Sequence, residues 1–135
     1  MSGVTDLGQL IGSMQPVLSD AAYVFASIDR ATLASIAELE PIGTFYEAEG
    51  LTVIVLKTKA DALNINYQGV FQCITLNVHS SLEAVGLTAA VSNTLANEGI
   101  SANVVAAFYH DHIFVPIVKA NQALSCLLKL VKDCA

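Results

Sequence analysis

An internal repeat constrains the fold of this chain more than any other feature of its sequence. The segment "FYEAEGLTVIVLKTKADAL" (45–63) aligns with the segment "FYHDHIFVPIVKANQAL" (108–124). Both segments read Phe-Tyr, a polar turn, an aliphatic strand, Lys-Ala, a polar residue and Ala-Leu. Self-similarity of this kind indicates two copies of one supersecondary unit. We therefore expect the 135 residues to form two small halves with the same plan.

Hydrophobic periodicity and turn residues give each half the order β-α-β-β-α. The first half has predicted strands at 21–28, 42–48 and 51–58, helices at 31–39 and around 59–63, and a turn at Glu49-Gly50. The second half has predicted strands at 71–78, 101–109 and 112–118, helices at 85–99 and 121–132, and a turn at His110-Asp111. Gly99 stands where a left-handed C-cap is expected.

The apolar residues of the two long helices predict which sides face the core. The buried set is Leu87, Ala90, Val91 and Leu95 in the first helix, and Ala123, Leu124, Leu127, Leu128 and Val131 in the second. Pro116 has no N–H, so we expect it at the end of ladder pairing or at a bulge.

The element order predicts an α+β fold: two ferredoxin-like βαββα(β) units with antiparallel sheets and the helices on one face. We place the first unit, with an N-terminal helical extension, at residues 1–66 and the second at residues 67–135. A complete unit needs a fourth strand. For this strand the sequence offers residues 66–78, as one long strand that serves both halves, and residues 16–18, which would complete the second half.

The amino-acid composition limits the classes of partner that this protein can bind. The net charge of −6, with only six Lys and Arg residues, leaves no basic patch for nucleic acid. Only 13% of residues are charged, about half the usual share of about 25%. A surface with so few charged residues predicts a homo-oligomer, a dimer or higher. The alternative is a monomer whose surface carries unusually few charges.

The same composition predicts where the protein works. Apolar runs are interrupted by Asn and Gln, so no membrane-spanning helix is expected, and the N-terminus lacks the pattern of a secretion signal. Three cysteines in no zinc spacing indicate reduced thiols. We therefore expect a cytoplasmic protein without membrane partner, metal or cofactor.

The segment "SSLEAVGLTAAVSNTLANEGIS" (80–101), followed by "FYHDHIFVP" (108–116), resembles the ACT domain, the small-molecule regulatory module of aspartokinases and related enzymes. More closely, the chain is similar to stand-alone tandem ACT proteins of bacteria, which also resemble the animal cytosolic arginine sensor. The first half matches only in plan and around "FYEAEGLTVIV", because its loop "DRATLA" is shorter and lacks the Val-Gly-Leu element.

The resemblance implies regulatory binding of an amino acid at the seam between two ACT units, with contacts from the loop before the helix. The start of helix 85–99 offers unpaired N–H groups and a positive dipole end to a carboxylate. Gly86 permits close approach of a ligand to the backbone. The predicted ligand-binding residues are Ser80, Glu83, Val85, Gly86, Leu87, Ser101 and Asn103, with Asp29 from the other half. Glu83 would hold an ammonium or guanidinium group, and Asp29 is a second candidate for that role.

Each of these residues also has a purely structural interpretation. Ser80 and Glu83 match a capping box with Ser80 as N-cap, and Gly86 permits a tight turn. His110 and His112 alternate on a predicted strand, but a metal needs three or four ligands and no further donors are evident. We therefore interpret the His110–His112 segment as a solvated turn.

The sequence contains no recognisable catalytic motif. It has no phosphate loop, nucleophile elbow or paired metal motif, and Cys73 lies among apolar neighbours, which is typical of inert packing. The leading hypothesis is a non-catalytic regulatory protein that binds an amino acid or similar effector. The alternatives are an interaction module with a vestigial pocket, and a small enzyme that uses His79 or the His110–His112 turn.

Overall fold

The computed structural model describes residues 3–29, 33–78 and 86–135. The chain divides into two compact units. The small unit comprises residues 21–71, and the large unit comprises residues 1–20 and 72–135. The boundary that we predicted from the sequence between residues 66 and 67 stays a prediction.

The small unit is an antiparallel three-stranded arrangement with two short helices. Its elements are the last eight residues of β1 (Gln15–Ile28), α2 (Leu33–Leu39), β2 (Gly43–Glu47), β3 (Gly50–Leu56) and α3 (Lys57–Ala62). The strand order is β2-β3-β1, and both pairings are antiparallel. One face of these strands forms the core with the helices, and its buried residues are Val24, Ala26, Leu39, Leu51, Val53, Val55 and Ala60.

The large unit has the same plan with longer helices. Its elements are α1 (Gly3–Ser13), the first six residues of β1, β4 (Phe71–Asn77) from residue 72, α4 (Leu87–Asn97), β5 (Asn103–Ala106), β6 (Asp111–Pro116), a 3-10 turn (Ile117–Lys119) and α5 (Ala120–Cys134). The strand order is β1-β4-β6-β5. The core is shared by α1, α4, α5 and one face of the sheet; it includes Ile11, Met14, Ile74, Leu76, Val91, Leu95, Ile113, Val115 and Leu127.

Helix α4 follows the predicted apolar stripe. Leu87, Val91 and Leu95 are at most 1% exposed. At its end, the N–H of Ile100 donates to the carbonyl of Leu95, and the N–H of Gly99 donates to the carbonyl of Ala96. These two bonds, with φ of 71° at Gly99, form a Schellman motif. The predicted left-handed cap is therefore confirmed.

Strand β1 is longer than the predicted 21–28. Residues 15–20 belong to the large unit, where β1 is the neighbour of β4. There the amide of Gln72 donates to the carbonyl of Ser19 over 2.6 Å. Residues 16–18 therefore lie in a strand of the large unit, in agreement with the prediction that they complete the second half. The other alternative is wrong, because β4 begins only at Phe71.

Several predicted boundaries were wrong for local reasons. Glu47 pairs with Gly50, so the hairpin turn is Ala48-Glu49 and not Glu49-Gly50. The predicted strand 101–109 is limited to Asn103–Ala106, and its hairpin loop is residues 107–110. Pro116 ends β6 as expected, so the predicted strand residues 117–118 form a 3-10 turn instead.

Two helix predictions also need correction. Residues 57–58 belong to α3 rather than to the preceding strand. Leu128, predicted to be buried, is 49% exposed, whereas Ala123 and Leu127 are fully buried. Leu128 directly follows Leu127, and a helix turns about 100° per residue, so the two side chains diverge.

Candidate functional site

The start of α4 is the element on which the predicted ligand site depends. Gly86 is the N-cap, with φ of 99° and ψ of −18°, and no side chain of the described residues caps the helix. The first intrahelical bond runs from the N–H of Ala90 to the carbonyl of Gly86. The N–H groups of the first turn therefore have no partner within the helix, which is the arrangement that suits an anion.

The N-cap of α4 is Gly86, and the capping box of Ser80 and Glu83 stays a prediction. Ser80, Glu83 and Val85 themselves lie outside the described residues. The side chain of Leu87 is 1% exposed and belongs to the core. Only its backbone N–H is therefore suited to contact a ligand.

Gly86 also has a structural role. Its φ of 99° lies in the left-handed region that favours glycine. A Cβ atom at this position would lie 2.9 Å from Cδ2 of Leu7, which projects from α1. Helix α1 therefore packs closely against the start of α4. Because Gly86 has no side chain, it permits both this close contact and the left-handed backbone turn.

The remaining predicted residues lie elsewhere. Ser101 and Asn103 follow the opposite end of α4, about 16 Å away along an 11-residue helix. The amide of Asn103 donates to the carbonyl of Phe114 over 3.2 Å. Within the large unit, neither residue shares a small-molecule site with Gly86. Asp29 follows β1 in the small unit and is exposed; its role as a second carboxylate stays a prediction.

The large unit contains a cleft that the sequence did not predict. It has a volume of about 310 Å³ and is lined by Ser13, Gln15, Asn77, Val78 and His110. These residues come from the end of α1, the start of β1, the end of β4 and the β5–β6 loop. None of these five side chains is an acid, a lysine or an arginine, so the described walls of the cleft offer hydrogen bonds rather than fixed charge. Nδ1 of His110 is buried and has no hydrogen-bond partner among the described residues.

A polar cluster lies on the opposite side of β4 from the core. Nδ1 of His112 lies 2.9 Å from Oγ1 of Thr75 and 4.0 Å from Sγ of Cys73. His112 is half-buried within β6, so its interpretation as part of a solvated turn was wrong. Among residues 3–29, 33–78 and 86–135, no three His, Cys, Asp or Glu side chains converge as a metal site would require.

This cluster is poorly suited to nucleophilic catalysis. Burial raises the pKa of the Cys73 thiol above its ordinary value. Burial, followed by the charge of His110, lowers the pKa of His112. Both shifts favour the neutral forms, so the thiolate–imidazolium pair of a cysteine nucleophile is disfavoured. Cys73 behaves as a packing residue, in agreement with the interpretation of its sequence context.

The alternation of side chains between the two faces of β4 was the sequence pattern that could have predicted the polar residues of this strand. Ile74, Leu76 and Val78 face the core, so Cys73, Thr75 and Asn77 share the other face. That pattern predicts a polar stripe. It does not predict that His110, 33 residues after Asn77, completes a cleft with residues 13 and 15, because such contacts depend on the tertiary fold.

Comparison with known families identifies this fold. Residues 2–72 and residues 70–129 each match a family model described as the ACT domain. The first match alone covers more than half of the chain, so the protein belongs to the ACT-domain family. It is a tandem ACT-domain protein with ferredoxin-like units, and the resemblance stated from the sequence is confirmed. No curated protein matches the chain.

Several solved structures are similar. A Vibrio cholerae protein of unknown function, described as a possible transport protein, is 48% identical over 96% of this chain and 99% of that chain, with a TM-score of 0.88. The ligand-free regulatory subunit of aspartate kinase from Thermus thermophilus is 10% identical over 85% of this chain and 95% of its own, with a TM-score of 0.58. E. coli aspartokinase III, in complex with aspartate and ADP, is 13% identical over 87% of this chain and 33% of its own, with a TM-score of 0.61.

The two kinases share the fold alone at this level of identity. None of the helices formed by the described residues is long and apolar enough to cross a membrane.

Proposed function

We propose that this protein is a non-catalytic regulatory module whose large unit binds a free amino acid or a similar small effector. One observation carries the proposal. Val78 lines the cleft, and α4 begins at Leu87 with a first turn that no described side chain caps. Residues 79–85 connect the two, so a ligand held by this connection would have a polar cleft at one end and helix N–H groups at the other.

The chemistry at the start of α4 assigns roles within this site. The carboxylate of the effector would accept hydrogen bonds from the first-turn N–H groups, including that of Leu87. Glu83 would hold the ammonium group, and Ser80 would offer a neutral hydrogen bond. The uncharged cleft, with the amides of Gln15 and Asn77, would receive the effector's side chain.

A thermal-shift panel of the twenty common amino acids, followed by calorimetry on each positive, tests this proposal. A ligand that binds only the native state raises the melting temperature by mass action. We expect at least one amino acid to bind with a dissociation constant below 1 mM. If none does, the alternative function, an interaction module with a vestigial pocket, takes its place.

We also propose that the module works in the cytoplasm as a homo-oligomer, and that the effector changes the arrangement of subunits. In the large unit, Phe108 and Tyr109 are 77% and 76% exposed, and Val118 is 90% exposed. Apolar side chains left so open on a charge-poor protein are usually covered by a partner. Sedimentation equilibrium at micromolar concentration should give a mass of at least twice 14.2 kDa. A single species of 14.2 kDa would contradict this part of the proposal.

A further inference from the structure

The small unit contains its own cleft, and its chemistry differs from that of the large unit. The cleft has a volume of about 830 Å³, which is in the range of small-molecule sites. Its walls include Phe25 and Ser27 of β1, Glu47 of β2, Thr52 of β3, and Tyr67 of the segment before β4. The amides of Asn66 and Gln68 complete its rim.

The strand register explains why these side chains converge. Ser27 pairs with Thr52, and Thr52 also pairs with Phe45 on its other side. Directly paired residues share a face, and so do alternate residues along a strand. Phe25, Ser27, Thr52 and Glu47 therefore lie on the face of the strands opposite to the buried core.

Glu47 is the one wall residue of this cleft that carries a formal charge at neutral pH. The hydroxyl of Thr52 donates to Oε1 of Glu47, which orients the carboxylate, and Oε2 has no partner among the described residues. In the described part of the chain, Glu47 forms no ion pair. The two lysines of α3 are engaged elsewhere, Lys57 with Asp61 and Lys59 with Glu40. The negative charge in the cleft is therefore not neutralised by any described residue of the small unit.

The aromatic walls are fixed in place. The ring of Phe25 packs edge-to-face on Phe71 with a centroid distance of 5.4 Å. The hydroxyl of Tyr67 donates to Asp61 over 2.6 Å. Aromatic faces attract cations, and a carboxylate beside them supplies a charged hydrogen-bond acceptor.

We infer that the small unit is a second binding site, which takes the ammonium or guanidinium head of a small organic cation between Glu47 and the rings of Phe25 and Tyr67. This site is separate from the effector site proposed in the large unit and needs no carboxylate on its ligand.

The test is an NMR titration of the full chain at neutral pH and low ionic strength. The probes are n-butylguanidinium and n-butylammonium, with n-butanol as the uncharged control. Both cations should shift the backbone amide signals of Ser27, Thr52 and Gln68 in a saturable way. Butanol should bind at least tenfold more weakly.

Glu47→Gln and Glu49→Gln form a matched pair of variants. Both remove one negative charge, but Glu49 lies in the β2–β3 turn and does not line the cleft. We expect Glu47→Gln to raise the dissociation constant of the cations at least tenfold, the scale of a charged hydrogen bond, and Glu49→Gln to change it less than twofold. Tyr67→Leu should weaken the cations about two- to fivefold, whereas Tyr67→Phe, which keeps the ring, should not.

Three results would overturn the inference. Equal weakening by both glutamate variants would indicate general attraction to an acidic protein. Equal binding of butanol would indicate an apolar surface. Absence of saturable shifts at Ser27, Thr52 and Gln68 up to 10 mM probe would show that there is no cation site. Because these probes lack a carboxylate and are monitored in the small unit, their failure leaves the amino-acid site in the large unit unaffected.

Discussion

The two units share a plan but differ at the ends where ligands would bind. In the large unit, α4 has 11 residues and begins at a left-handed glycine, and no described side chain caps it. In the small unit, the corresponding helix α2 has only 7 residues. The repeat also places different residues after the Phe-Tyr pair, since Glu47 lines one cleft and His110 lines the other. The two units therefore share a backbone plan, but different side chains give their clefts different chemistry.

The hairpins show how one sequence motif acquires two geometries. Phe45 and Tyr46 lie within β2, where Glu47 pairs with Gly50 across a two-residue turn. Phe108 and Tyr109 lie in the loop between Ala106 and Asp111, and their rings pack against each other with a centroid distance of 4.9 Å. All four aromatic side chains are more than 70% exposed. The two pairs differ in the backbone that positions the residue after them, which is a strand for Glu47 and a loop for His110.

The largest predicted effect tests whether α4 anchors the large unit. Leu95 is fully buried, so Leu95→Ala should lower the free energy of unfolding by about 2–5 kcal/mol. Leu128→Ala in α5 is the control, because Leu128 is 49% exposed and should cost about 0.5 kcal/mol or less. Urea unfolding measures both. Equal losses would mean that α4 contributes no more to stability than an exposed helix face.

A smaller effect tests the glycine that distinguishes the start of α4. Gly86→Ala places a Cβ on a backbone with φ of 99°, which should cost about 1–3 kcal/mol. Gly8→Ala is the matched control, because Gly8 is inside α1 and the added Cβ would meet no atom within 4 Å beyond its chain neighbours and the nearby backbone of its own helix. It should stabilise by about 0.5–1 kcal/mol. The same urea experiment compares them, and an unchanged free energy of unfolding in Gly86→Ala would contradict the left-handed conformation of the N-cap.

Predictions from the sequence succeeded where local pattern decides the structure. The stripe Leu87, Val91 and Leu95 and the cap at Gly99 follow from helical period and glycine conformation. The long β1 was harder to predict, because residues 15–20 and 21–28 serve different units and only pairing partners distant in sequence reveal this.

The candidate sites were predicted less completely than the fold. Gly86 and Leu87 do stand at the start of α4, but Ser101 and Asn103 lie at its far end. The two clefts combine segments up to 97 residues apart, such as Ser13 and His110, and no local pattern specifies such a contact.

The smallest predicted effect concerns the polar cluster of the large unit. The pKa of His112 in the folded protein lies below its ordinary value of 6.5, chiefly because of burial. Between the two pKa values the unfolded state binds more protons, so the contribution of His112 is complete above about pH 6.5 and declines as the pH falls. Wild type should lose more stability than His112→Asn between pH 7.5 and pH 5.0 in urea titrations. Parallel losses would contradict the burial assigned to this ring.

The central claim is that the large unit binds an amino acid through the start of α4 and Glu83. Calorimetry with the tightest amino acid from the thermal-shift panel compares Glu83→Gln with Glu98→Gln, which removes the same charge at the other end of α4. We expect Glu83→Gln to weaken binding about 10- to 150-fold, or about 1.5–3 kcal/mol, and Glu98→Gln to change it less than about twofold. The same dissociation constant in wild type and Glu83→Gln, or equal losses in both variants, would contradict the claim.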